Sequence, residues 1–457
     1  MDPEKDESPR APRDEVTANR RRERQPQHVA VASGLQPSTG AAAPDPAPMP
    51  ASPPTTRQST GLLKQQLRTL LHQIGLDVHR RRERHSEAAV SLRTERRPAR
   101  GSVLMAYIQQ PFLPPAKCVF DFASHTNFNE SVLMARAYLD AGFDVDVIDF
   151  RNAHFVPNKH YDIFVSARTQ LERIAQCLNS DCIRIAHLDT AHFVFNNHAA
   201  YARVLALQRR RGVTCMSVRI VESNRAIEHA DCAALLGGDF AAETYAYANK
   251  PIFRLPIPTV TTYPFPRGKD YRRCRRRFLW FGSSGLVHKG LDLVLEAFAE
   301  MPQYELIVCG PVTRDSAFES IYRHELYHRP NIRTIGWVDV TSPQFTELAH
   351  DCAALIFPSC AESQSASTLT CMQAGILPVV TREAGIDTRD FNWVLNEATV
   401  EEIQRAVEAV ASLSPQELEN RSRAAWEYAR TTHTAQNYAE AYGAMLRGIL
   451  AESGDRR

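Results

Sequence analysis

Two short stretches gather residue types able to hold an anion. The first is Pro358-Ser359-Cys360-Ala361-Glu362-Ser363-Gln364-Ser365. An apolar run, 353–357, leads into it and reads as a buried parallel strand. Residues 367–374 read as a short helix with Gly375 as its C-cap, and 376–380 as the next buried strand. Glu362 therefore falls where a strand ends and a helix begins. Open α/β sheets bind ligands at that position, and the free N–H groups of a helix start attract anions. The second stretch is FLWFGSSGLVHKG at 278–290. A strand ends at Gly282, a turn of small residues follows (Ser283, Ser284, Gly285), and Lys289 and Gly290 open a helix. Small residues let backbone N–H groups approach a phosphate, and a lysine adds a point charge. Each residue has a plainer alternative. A carboxylate at a helix start is favoured by the helix dipole, and a lone Lys-Gly is a weak signal.

The elements around these stretches form two similar α/β halves. In the first, the expected strands are 117–122, 143–150, 163–167, 183–188, 214–218 and 232–236, with helices at 130–141, 171–179, 199–211 and 241–248. A Pro-, Thr- and Gly-rich stretch, 251–269, reads as a linker. In the second half, strands are expected at 278–281, 304–309, 332–338, 353–357 and 376–380. Helices are expected at 290–300, 315–328 and 343–350, then at 399–412 and 414–450. Ser414, Pro415 and Glu417 form a capping-box start for the last of these.

Together these features resemble the donor site of the retaining group 1 (family 4-like) glycosyltransferases of the GT-B fold. The likeness covers 277–430 well and 118–262 in outline. Pro358, Ser359, Glu362, Gly375, Pro378, Val379 and Val380 match the family pattern. Its second Glu is replaced by Thr370, and its Gly-rich turn by Ser363-Gln364-Ser365. Lys289 and Gly290 match the second donor element, whose Arg is replaced by Ser284. The resemblance implies an α/β protein with two Rossmann-like parallel-sheet domains facing across a cleft. The domains would be an acceptor-side 101–262, a linker 263–276, a nucleotide-sugar-binding 277–430, and a C-terminal helix within 431–457.

The resemblance also implies an activity and roles for residues. The reaction would be transfer of a sugar from a nucleotide-diphosphate sugar to a glycan, lipid-linked or other acceptor, with retention at the anomeric carbon. Lys289 would hold the leaving diphosphate. Glu362 would accept hydrogen bonds from donor sugar hydroxyls. His192 would lie beside the sugar, with Asp189 and His187 able to fill the same role. Gly282, Ser283, Ser284, Gly290 and the amides of Ser363, Gln364 and Ser365 would line the donor, with Thr370 at the ribose. His125 and Asn127 would face the acceptor. No cofactor and no metal is expected, since Lys289 and helix N-termini can hold the diphosphate. Two readings on the same fold remain alternatives: a non-catalytic scaffold or binding subunit of a glycan-assembly complex, and a nucleotide-sugar epimerase.

Composition narrows the classes further. A 457-residue chain with 44% hydrophobic residues can build two or three cores, and a net charge of +2 gives no field that points to nucleic acid. The ten cysteines form no Cys-x-x-Cys pair and read as reduced, mostly buried thiols of a cytoplasmic protein. No Gly-x-Gly-x-x-Gly, P-loop or Gly-x-Ser-x-Gly motif is present. Residues 1–60 hold eleven of the 28 prolines and read as a disordered tail. Residues 61–100 read as a basic amphipathic helix and linker. Leu63, Leu67, Leu70, Leu71, Ile74 and Val78 fall on one helical face, and Arg80, Arg81, Arg82 and Arg84 follow. That pattern suits an anionic membrane surface, on the inner face of the membrane, as well as it suits packing on protein.

Overall fold

The computed structural model describes residues 88–113, 126–387 and 389–454. The expected tail, the amphipathic stretch 61–84, the expected strand 117–122 and His125 lie outside the described residues. Two sheets organise the rest. The first has seven strands: β1 (Val90–Leu92), β2 (Gly101–Tyr107), β3 (Phe143–Asp149), β4 (Ile163–Ala167), β5 (Ile183–Leu188), β6 (Cys232–Leu236) and β7 (Ile252–Leu255), in the order β1-β3-β2-β4-β5-β6-β7. All pairs are parallel except β1 with β3. The second has six: β8 (Arg277–Phe281), β9 (Glu305–Cys309), β10 (Ile332–Gly336), β11 (Ala354–Phe357), β12 (Leu377–Thr381) and β13 (Trp393–Leu395), all parallel in the order β10-β9-β8-β11-β12-β13. Strands such as Ala-Leu-Ile-Phe and Ile-Phe-Val-Ser-Ala are buried throughout, as central parallel strands require.

Strand order reverses between β2 and β4 in the first sheet and between β8 and β11 in the second. At such a switch point the connections leave on opposite sides and open a crevice at the strands' carboxyl ends. In the second sheet the segments that leave there are the turn after β8 and the loop after β11, which carry Lys289 and Glu362.

Several expected elements differ. Residues 214–218 form no strand. Cys215 is buried in the core of the second lobe, so this segment crosses between lobes with no strand beside it to pair with. Three strands lie where none was expected among the described residues of the first lobe, β1, β2 and β7. In β2, Met and Ala dilute the β-branched signal. β7 lies inside the Pro-rich stretch, at the sheet edge where flanking prolines are tolerated. The final helix is two, Pro415–Thr432 and Ala435–Gly454, broken at His433. There the chain returns to the first lobe. His433 O accepts from Thr259 N (3.2 Å) and Thr259 Oγ1 (2.8 Å), and His433 Nδ1 donates to Ile257 O (3.1 Å). The last helix then packs on Thr126–Asp140, with Tyr138 and Tyr442 hydroxyls 2.9 Å apart. Nine described cysteines are unpaired and eight of them buried, which suits a reduced core.

The first switch point buries a carboxyl group. Glu130 is 2% exposed and accepts from Tyr107 Oη at 3.0 Å. Burial, with Asp189 adding, pushes it up to about 8 against the opposing Tyr107 hydrogen bond. Between the unfolded value of 4.5 and about 8, the folded protein holds a proton that the unfolded chain has lost. Stability from this group is complete below the lower value and is lost as pH rises through the upper one. Glu130→Gln should therefore flatten the fall in stability between pH 5 and 8, by up to about 1.4 kcal/mol per pH unit. Denaturant midpoints of the wild type and variant across that range check this; parallel curves refute it.

Candidate functional site

The site forms where β8 and β11 end side by side. After β8 the chain passes Gly282, buried beneath the Trp280 ring, then the exposed Ser283 and Ser284. Gly290 caps the start of the helix Leu291–Ala299 with φ +72°. A Cβ there would meet Pro358 O at 2.7 Å, so glycine serves both the left-handed backbone and the close approach of the two loops. Trp280 Nε1 donates to Lys289 O at 3.2 Å and fixes the Lys289 backbone.

Lys289 and Glu362 meet in the crevice. Lys289 Nζ lies 2.5 Å from Glu362 Oε1, with the side chains only 6% and 11% exposed. The same oxygen accepts from Ser359 Oγ at 3.1 Å and from Arg219 Nη1 at 3.4 Å. Burial by itself works against both ions. For Glu362, Lys289 and then Arg219 outweigh burial and hold the carboxyl at about 2. Glu362 is thus an ionised acceptor over the whole physiological range. His288, next to Lys289, is pushed by burial down to about 4 and is a neutral imidazole, so it adds no charge. Its Nε2 lies 2.5 Å from Ala361 O and its Nδ1 3.4 Å from Cys360 Sγ.

The loop after β11 is held by its own backbone on one side and by the first lobe on the other. Glu362 N donates to Glu383 O (2.8 Å) and Ser365 N to Ala384 O (2.9 Å). The Ser365 amide is therefore used within the protein, and the expected amide cradle narrows to Ser363 and Gln364. Ser365 instead caps the helix Ala366–Gln373, its side chain accepting from Thr368 N. Ser363 Oγ donates to Asp189 O of the first lobe at 3.0 Å, and Gln364 Oε1 accepts from Ile257 N at 3.4 Å. Thr370 Oγ1 donates back to Ala366 O at 2.8 Å, so its hydroxyl hydrogen is engaged in its own helix.

From the first lobe, the segment after β5 reaches the same place. Ala191 packs with Phe240 and Ala361 in one buried cluster. His192, half-buried, stands edge-on to Tyr245 with its Nε2 3.2 Å from Tyr247 Oη. Burial lowers its proton affinity, against Glu228, and so favours the neutral ring. Asp189 is in a two-point ion pair with Arg168, at 3.2 and 2.9 Å. His187 is 1% exposed, packed against Tyr107, with neither ring nitrogen hydrogen-bonded. The structure thus brings Lys289, Glu362, Ser363 and the 189–192 segment together. Asn127 is exposed in the first turn of its helix, Thr126–Asp140.

Two contributors were not read from the sequence. Arg203 Nη2 donates to Pro358 O at 2.6 Å from the first-lobe helix Phe193–Arg211. A signal existed, because Arg203 falls on that helix's buried stripe with Asn196, Ala200 and Leu207. A long cation on an apolar face marks a contact that needs it. Arg219 had no such signal, since it lies in irregular chain. A cavity of about 270 Å³ opens beside the turn after β8, lined in part by Ser217, Ser284, Gly285, Pro311, Arg314 and Asp315.

Comparison with known proteins bears on the fold. The family described as glycosyl transferases group 1 matches residues 275–412. Sucrose-phosphate synthase from Thermosynechococcus elongatus superposes with a TM-score of 0.53 at 12% identity, covering 77% of this chain and 99% of that one. The α,α-trehalose 6-phosphate synthase from Burkholderia multivorans gives 0.52 at 10% identity, covering 78% and 100%. A crystal structure of TarM gives 0.44 at 12% identity over 61% of this chain and 53% of that one, so the chain spans about half of TarM's length. No curated protein sequence matches. The chain has the GT-B fold, and its second lobe, over residues 275–412, matches the group 1 glycosyl transferases.

Proposed function

We propose that the protein is a glycosyltransferase that moves a sugar from a nucleotide-diphosphate sugar to a glycan or lipid-linked acceptor. The observation that carries this reading is the buried Lys289–Glu362 pair at the switch point of the second sheet, inside the segment matched by the family. The lysine suits the leaving diphosphate. The ionised Glu362 has a second oxygen and can accept from donor sugar hydroxyls. The cavity beside Ser284 and Gly285 offers room for the nucleotide.

The reading includes retention at the anomeric carbon without a covalent intermediate. Glu362 shares one oxygen between two cations, which lowers its nucleophilicity and leaves it suited to binding. The acceptor hydroxyl then attacks on the face from which the diphosphate leaves, and the diphosphate takes its proton. Catalysis on this scheme is charge stabilisation of the leaving group plus orientation within a closed cleft. Charge would come from side chains and helix-start amides with no metal.

A scaffold role is favoured by one observation, the hydroxyl of Thr370 turned into its own helix where the family pattern has a carboxylate. Calorimetry with a panel of nucleoside diphosphates separates the two. The transferase should bind one of them at micromolar to millimolar concentration, and no binding at millimolar ligand would leave the scaffold. Release of nucleoside diphosphate from a sugar donor, followed with a chelator present, reads activity. Lys289→Ala should lower that turnover by about two orders of magnitude or more, the scale of one transition-state charge contact. Unchanged turnover would remove Lys289 from the site.

The pattern of residues 61–84 supports attachment to an acidic membrane surface, where a lipid-linked acceptor would be met. Among the described residues no helix is long and apolar enough to cross a membrane. The full chain should float with acidic vesicles and less so with neutral ones, and raised salt should weaken the attachment. Leu67→Glu/Leu70→Glu should abolish flotation; a wild type that stays at the bottom with both vesicle types refutes the attachment.

A further inference from the structure

We propose that Arg219, carried by the first lobe, binds the donor's diphosphate together with Lys289 of the second, standing in for a cation that the turn after β8 does not itself supply. The inference rests on the function proposed above and adds a residue and a lobe to it.

The position of Arg219 is built. Two residues before it, Ser217 Oγ donates to Asp315 Oδ1 of the second lobe at 2.6 Å. Two residues after it, Val221 bonds in both directions with the Asn197 side chain of the first-lobe helix, at 2.8 and 2.9 Å. The irregular segment is thereby tied to both lobes, with Arg219 at its midpoint. The arginine side chain lies across Gly285, whose φ is +89°. A Cβ on Gly285 would stand 2.8 Å from Arg219 Cδ, so only glycine lets the guanidinium pass over the turn.

Charge accounts for what the guanidinium is doing there. Glu362 carries one negative charge and meets two cations on a single oxygen, Lys289 Nζ at 2.5 Å and Arg219 Nη1 at 3.4 Å. His288 is neutral, so one positive charge is in surplus at the mouth of the crevice. The Arg219 contact is the longer and the more open of the two, with the side chain 40% exposed against 6% for Lys289. A guanidinium has five N–H donors, and this one spends one of them on Glu362 among the described side-chain contacts. Its fork matches two phosphate oxygens in a way that an ammonium does not. Ser284, exposed beside Gly285 on the neighbouring cavity, is uncharged.

The test compares nucleoside diphosphates with the corresponding nucleosides by calorimetry on the full chain. Arg219→Ala should weaken diphosphate binding about 10- to 100-fold, the scale for hydrogen bonds to a charged group, and leave the nucleoside unchanged. Arg219→Lys keeps the charge without the fork and should fall between wild type and alanine. Adding Ser284→Arg to Arg219→Ala should restore diphosphate affinity by returning a guanidinium to the same turn. Wild-type diphosphate affinity in Arg219→Ala, or an equal loss for nucleoside and diphosphate, would overturn the inference and leave the proposed function standing. A wild type blind to every nucleoside diphosphate would overturn the function instead. The exposure of Arg219 makes misfolding of these variants unexpected, and matched melting curves check it. Were the alanine variant unfolded, Arg219→Lys alone decides, since wild-type affinity there refutes the fork.

Discussion

The constraint on which the site depends is one carboxylate kept ionised at 9% exposure. Taking such a group out of water costs several kcal/mol unless cations and hydrogen bonds replace the water. Here the replacements come from three separate parts of the chain. Lys289 follows β8, Ser359 follows β11, and Arg219 comes from the other lobe. The sheet order makes the first two possible, because β8 and β11 are adjacent although 73 residues separate Lys289 from Glu362. Removing one partner of a buried pair costs about 3–5 kcal/mol, so the carboxylate holds the two loops in register while it is charged.

The third partner needs the lobes together, and a second set of ions sees to that. The helix Phe193–Arg211 ends in three arginines. Arg210 meets the fully buried Asp292 at 2.6 Å and Glu296 at 2.7 Å, and Arg211 pairs with Glu325 and lies 4.4 Å over the Tyr322 ring. Leu207 and Cys215, at that end of the first lobe, are counted in the second lobe's core. Such pairs add little net stability over apolar contacts of the same size, but misaligning them strands a buried charge. Their effect is to fix geometry. They set the helix end, and the helix end sets the segment that carries Arg219.

How much of this was legible follows from how local each signal is. The strands of the second sheet are short apolar runs bounded by turn residues, and β8, β9, β11 and β12 fall within a residue or so of their expected places. Lys289 and Glu362 were legible because a strand end followed by a helix start is a local pattern with a fixed physical consequence. β2 was not, since its Met-Ala content carries little strand preference. Residues 214–218 alternate like a strand, but the alternation serves a crossing between lobes, with Cys215 inward and Met216 80% exposed. Arg219 meets Glu362 across 143 residues, and no window of sequence contains both. Arg203 was readable in principle, as a cation on a buried helical stripe.

On the proposed function, the arrangement also sets what a diphosphate would have to do to bind. Lys289 is almost fully buried and its ammonium already faces Glu362, so an incoming phosphate has to share that ammonium rather than displace the carboxylate. An ammonium has three donors and can do this without moving far. Arg219 is held by the longer contact and can turn its fork outward at lower cost. As it turns, Glu362 loses one of its two cations, and its oxygens gain capacity for hydroxyl groups. On that function, phosphate binding on one side of the carboxylate would raise its appetite for sugar hydroxyls on the other. The two halves of a nucleotide sugar would be recognised through one shared charge, rather than by two independent pockets.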